Sequence, residues 1–153
     1  MKTFGYITCF FALLFLVGSC SKSDIDTANY FAFGSHYSFC AGNCSKVFAI
    51  TGNKLVPVTF TDFNKPLALQ TKALADSSYH KAVPLKETFP QYFRDHPNQT
   101  FGCPDCADQG GYYIEIMENG KKIYWRVDTS VGQLPVEIRE YVTRLATVIN
   151  SIH

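Results

Sequence analysis

The chain has 153 residues, 46% of them hydrophobic, and a formal net charge of +1, which sets the scale at about one domain. Residues 1 to 19 hold one Lys and no acid, so the remainder balances 13 basic against 13 acidic side chains. A neutral body offers no phosphate-tracking surface, and nucleic acid is discounted as a partner.

The first element is a leader. Met-Lys-Thr precedes "FGYITCFFALLFLVG", an uncharged run of 15 residues that ends in "SCSKSD". A short positive region and an apolar stretch of this length read as a secretory signal, and the run is short for a membrane-spanning helix. Val17, Gly18, Ser19 and Cys20 resemble the lipobox of bacterial lipoproteins. In that family the chain is cut before the Cys, whose thiol and new amino group are acylated. The resemblance implies lipidation at Cys20 and a lipid bilayer as partner, since two or more acyl chains make anchoring stable. It also implies a cell-envelope address at the outer membrane, on its periplasmic or surface face. Removal of residues 1 to 19 leaves 134 residues. Residues 20 to 28 read as a polar tether, with Asp24 and Asp26 compatible with surface display. Residues 29 to 153 read as one domain.

Phe31, Phe33, Tyr37 and Phe39 fall at strand period, and Gly34 between them predicts a bulge or bend. "SKVFAIT" and "KLVPVTF" flank Gly52-Asn53 and predict a hairpin over about 45–61. Pro57 cannot donate to a ladder, which places the second run at a sheet edge. Residues 64 to 75 fit a strand or a helical turn. Asp76 with two serines is a candidate N-cap for a helix that Pro84 stops. A second helical stretch follows, with Leu85, Phe89, Tyr92 and Phe93 at helical spacing, weakened by Pro90 and ended by Pro97.

Asn119-Gly120 marks the strongest hairpin, over about 112–127. A two-residue loop sets Ile116 opposite Ile123, Ile114 opposite Trp125 and Tyr112 opposite Val127 on one face. That face is core, and the other is partly wet. Residues of about 135–152 form an amphipathic helix with Ile138, Tyr141, Val142, Leu145, Val148, Ile149 and Ile152 in one stripe. The class is therefore α+β, a mostly antiparallel sheet of hairpins packed by the C-terminal helix.

Cys40, Cys44, Cys103 and Cys106 remain for explanation. In an oxidising compartment two disulfides are the first reading, with the pairing open. Four thiolates with CxxxC and CxxC spacing also fit a zinc site. A redox CxxC is the third reading, though its activation needs a helix N-terminus and "CPDCADQGGYY" leads into a strand. Apart from that zinc, no cofactor is expected. Asp105 and Asp108 read as turn acids, not calcium ligands. The histidines match no zinc-protease spacing, His36 reads as packing or surface, and neither a nucleophile elbow nor a phosphate loop occurs. The aromatics at 30–39 and 112–125 read as core in preference to a carbohydrate platform.

The pattern "FGSHYSFCAGNC" followed by "CPDCADQGGYYIEI" resembles small exported bacterial proteins, which implies a shared fold and no activity. The segment "YYIEIMENGKKIYWRVDTSVGQLPVEIREYVTRL" loosely resembles the hairpin-plus-helix of emfourin-type metalloprotease inhibitors. The expectation is a lipid-anchored domain that binds an unknown protein or ligand without catalysis, stabilised by two cysteine pairs. The alternatives are a protease-inhibitor-like domain and a zinc-binding or redox CxxC domain.

Overall fold

The computed structural model describes residues 25–37 and 44–153. Seven strands make one sheet: β1 (Tyr30–His36), β2 (Lys46–Thr51), β3 (Lys54–Thr59), β4 (Ala68–Leu69), β5 (Gln99–Phe101), β6 (Gly111–Glu118) and β7 (Lys121–Asp128). The order across the sheet is β4-β3-β2-β1-β6-β7-β5. Every pairing is antiparallel except β5 with β7. Among the described residues three α-helices accompany it: α1 (Asp76–Glu87), α2 (Gln91–Asp95) and α3 (Val136–Ser151). This is an α+β fold.

The β6–β7 hairpin has the register expected of a two-residue Asn-Gly loop, with Ile116 opposite Ile123, Ile114 opposite Trp125 and Tyr112 opposite Val127. Those side chains join Phe31 and Phe33 of β1, Phe48 and Ile50 of β2, and the helices in the main core. The stripe of α3 supplies Ile138, Tyr141, Val142, Leu145 and Ile149 to it. Two hydrogen bonds inside this layer tie α2 to the sheet and α3 to α1. The Trp125 indole N–H donates to the His96 carbonyl at 2.7 Å, and the Tyr141 hydroxyl donates to the Leu85 carbonyl at 3.0 Å. Both satisfy groups that are costly to bury unpaired.

Several local expectations need correction. β1 carries no bulge at Gly34, because its pairing to β2 and β6 runs through that residue in unbroken register. The glycine serves close approach instead: a Cβ there would lie 2.6 Å from the Val47 Cα and collide with the Lys46 carbonyl. β3 is second from the edge, covered by the two-residue β4. The Gln70 N–H donates to the Pro57 carbonyl at 2.9 Å from the outer side. The missing Pro57 N–H faces that same outer side, so β2 loses no ladder bond. α1 runs through Pro84 to Glu87, and Asp76 stands in its first turn behind Ala75, without a side-chain cap. Pro90 precedes α2 and does not interrupt it.

The second sheet face is also buried. Tyr30, Ala32, Val47, Ala49, Val56 and Val58 form a separate cluster, packed by Phe60, Leu67, Leu69 and Ala73 from the segment between β3 and α1. The hairpin face expected to be partly wet carries Tyr113 and Glu115, both fully buried. Phe60 and Phe63 cover Tyr113 at ring distances of 5.2 and 5.5 Å.

Gly34→Ala is expected to cost more stability than Gly120→Ala, although only Gly120 has a positive φ, +75°. The first forces backbone apart, about 2 kcal/mol or more, while the second costs about 1 kcal/mol of left-handed strain in open space. Urea unfolding of the two variants checks the order, and equal losses would refute the close-approach account.

Candidate functional site

β1 runs the length of the sheet, so its two ends define two ends of the domain about 20 Å apart. At the Tyr30 end lie both tight hairpin turns. The Gly120 N–H donates to the Ala28 carbonyl at 3.0 Å, and the Asn119 N–H donates to the Asn29 side chain at 3.0 Å. At the His36 end lie Cys44, the 102–110 loop and a groove of about 340 Å³ lined by His36, Tyr37, Ser45, Phe60, Asp62 and Phe63. Another groove, of about 410 Å³, lies at the Tyr30 end beside Lys86 and Arg94.

Cys103 and Cys106 are bonded to each other, with Cα atoms 5.5 Å apart. Cys44 is also disulfide-bonded. With Cys103 and Cys106 taken, its partner lies outside the described residues, as do Cys20 and Cys40. The pairing at 103 and 106 is thus local, and a long-range bridge from either to Cys44 is ruled out. An oxidised pair presents no thiolates, so the four-thiolate zinc arrangement is not formed. Among the described residues no group of three or more His, Cys, Asp or Glu could hold a metal ion.

The CPDC loop opens no helix and passes through turns into β6, so the activation of a thioredoxin-type cysteine by a helix dipole is missing. Hydrogen bonds shape the loop. The Cys103 N–H donates to Asp128 Oδ2 at 2.7 Å, the Asp105 N–H to the Gly110 carbonyl at 2.9 Å, and the Gly110 N–H to Asp105 Oδ1 at 3.0 Å. Asp105 and Asp108 take positive φ values of 65° and 55°, as short acids in turns do. Burial alone would raise the pKa of Asp128. The Ser130 and Cys103 N–H groups, with the Ser130 and Gln109 side chains, outweigh it and hold it below the usual value.

Beneath this loop sits His36, which is 2% exposed. Its ring meets Phe63 edge-on at 4.7 Å. Its Nε2 has no partner and would lie 3.0 Å from a Cβ built on Gly111. Burial, then the Arg126 charge, push its pKa down to about 4 against an opposing pull from Asp105. The imidazole is therefore neutral at neutral pH.

On the same face, Glu115 is buried among polar partners that the sequence does not announce. The Tyr30 and Tyr113 hydroxyls each donate to one of its carboxylate oxygens, and Lys122 Nζ lies 3.2 Å from Oε2. Lys122 also donates to the Phe63 carbonyl at 2.9 Å and lies over the Tyr124 ring at 5.3 Å. Burial, followed by the hydrogen bond to Glu115, raises the pKa of both tyrosines. These hydroxyls stay protonated and donate. A carboxylate saturated in this way binds its own protein and offers no free base.

β6 is paired on both sides, to β1 and β7, and β7 is covered by β5 over 125–127. The edge that an inhibitor-like mode could use is thereby reduced to residues 121–124 of β7 and the 119–120 turn.

No family model, no curated protein and no solved structure matches the chain. The lipobox likeness and the two looser ones therefore rest on their own residues. Among the described residues no helix is long and apolar enough to cross a membrane.

Two predictions concern this layer. Lys122→Met leaves the Glu115 carboxylate without its cation and is expected to cost about 3 kcal/mol. Adding Glu115→Gln should restore at least about 1 kcal/mol of that; a double variant weaker than the single one refutes the pairing. His36, with a folded pKa of about 4 against about 6.5 unfolded, binds its proton less readily when folded. Its contribution is complete above about pH 6.5 and is lost as pH falls toward 4, on the order of 3 kcal/mol in all. Denaturant melts of the parent and of His36→Phe across pH 4 to 7 should differ by that slope. Parallel curves would contradict it.

Proposed function

We propose that the protein is an exported bacterial lipoprotein, held at the outer membrane by acyl chains on Cys20, and that its domain binds a protein or small ligand without catalysis. The sequence "LVGSC" at the end of the uncharged run carries this reading. Disulfides at Cys44 and at Cys103–Cys106 support it, since such bonds persist in oxidising compartments. β1 begins ten residues after Cys20, a reach of at most about 35 Å. That reach exceeds the roughly 20 Å between the two ends of the sheet, so either end can stand clear of the bilayer. The groove beside His36, at the end of the sheet that bears the disulfides, is the surface we assign to the partner.

A binding role fits the chemistry better than catalysis. The two buried carboxylates among the described residues, Glu115 and Asp128, are each occupied by several donors. The groove is walled by His36, Tyr37, Phe60 and Phe63, a surface suited to an apolar or aromatic group.

Cells grown with an alkyne fatty acid should label the parent chain, and Cys20→Ser should lose the label and leave the membrane fraction. A parent chain that takes no label, or a Cys20→Ser variant that keeps it, sinks the anchor.

A further inference from the structure

We propose that Cys103–Cys106 is a thiol–disulfide exchange site carried at the His36 end of the domain, and not a staple of the fold. Three observations carry this. The bond spans a sequence separation of three, so it removes little freedom from the unfolded chain. Both cysteines are exposed, whereas Pro104 between them is buried, against Gly111 and His36. The loop is also held without its sulfurs. Asp128 and Asp105 accept from the Cys103 and Gly110 N–H groups, the Asp105 N–H reaches the Gly110 carbonyl, and Gln109 Nε2 donates to the Cys103 carbonyl at 3.0 Å. Opening the bond leaves every one of these contacts in place, so the reduced chain keeps its fold.

The exchange is a two-electron step with a dithiol partner in the same compartment. A partner thiolate attacks one sulfur of the pair, forming a mixed disulfide and releasing the other as a thiolate that takes a proton from water. The partner's second thiolate then attacks the mixed disulfide. The partner becomes a disulfide and the chain carries two thiols. The reverse sequence passes the electrons on to another disulfide. The loop itself opens no helix, so neither sulfur stands in the first turn of one, as it does in a thioredoxin-type pair. The inference is independent of the anchor, because a chain without acyl groups has the same loop.

Full-length protein, with and without Cys20→Ser, is treated with dithiothreitol in the absence of denaturant. It is then alkylated, and the labelled cysteines are located by peptide mass spectrometry. Labelling at Cys103 and Cys106 should rise in proportion to dithiol concentration, with the circular dichroism of the folded chain retained. The reduced chain, mixed with oxidised glutathione, should re-form its disulfide and release two glutathione thiols. The double variant C103S/C106S should melt within about 4 °C of the parent. A labelling rate that levels off with dithiol concentration means that the bond opens only on unfolding and overturns the proposal. So does a chain labelled at Cys103 and Cys106 but not at Cys44 that has lost its fold, or a larger drop in the melting temperature of the double variant. Loss of fatty-acid label in the parent overturns only the anchor.

Discussion

The fold depends on one strand that is hydrogen-bonded along both edges and buried on both faces. β1 pairs with β2 and β6 along its length, and Tyr30, Phe31, Ala32 and Phe33 are all at most 5% exposed. Such a strand tolerates no charge and must present apolar groups to two different layers. From Phe31 to Gly34 its sequence divides the task by size. Phe31 and Phe33 face the helices, which stand off from a sheet and need large side chains to fill the gap. Ala32 and Gly34 face the other side, where the neighbours in β2 are Ala49 and Val47. A shallow surface of this kind is filled by single apolar side chains of a covering segment, which is how Phe60 and Leu67 meet it.

This division explains why the second face changes character across the sheet. Over β1, β2 and β3 it is aliphatic. Over β6 and β7 it carries Tyr113, Glu115, Lys122, Tyr124 and Arg126. The covering segment reaches there with Phe63, whose ring lies under the Arg126 guanidinium at 4.3 Å and whose carbonyl accepts from Lys122. The lysine is pulled in two directions, to a buried carboxylate and to a backbone acceptor, while part of its stem stays in water. Charge is tolerated in this layer because each group is matched and one side of the network remains near solvent, conditions that reduce the desolvation penalty.

The elements carrying a strong local signal can be read directly from the residues. Asn119-Gly120 fixes a register, and with it the Ile/Trp face that α3 covers. The stripe of α3 stands out because its apolar positions repeat over four turns. Features set by tertiary contact are not legible in this way. β5 is three residues long and pairs in parallel with β7, so its hydrogen bonds come from a partner more than twenty residues away. Gly34 reads as a bulge because a glycine signals backbone freedom and close approach with the same letter, and only the position of Lys46 and Val47 separates the two. Pro84 reads as a stop, yet its helix continues, because the packing of Leu85 in the core and the Thr88 contacts to the Pro84 carbonyl hold the last turn. Glu115 alternates as a wet residue in the hairpin pattern. Its burial comes with partners from β1, β6 and β7, the Tyr30 and Tyr113 hydroxyls and Lys122, and Phe60 and Phe63 cover Tyr113 beside it.

The two ends of the sheet solve chain connection differently, and this bears on what the sulfurs can do. At the Tyr30 end, two-residue loops join β2 to β3 and β6 to β7, and such turns need no covalent help. At the His36 end, β1 leads to β2 through residues 37 to 45 and β5 leads to β6 through residues 102 to 110. Longer connections cost more entropy to order, and the described cysteines, 44, 103 and 106, all fall within them. The Cys103–Cys106 bond begins and ends inside its own loop, so it ties no strand to another. The ladders of β1 and the core beneath α3 carry the sheet, which leaves that sulfur pair free to answer to its surroundings without endangering the structure that presents it.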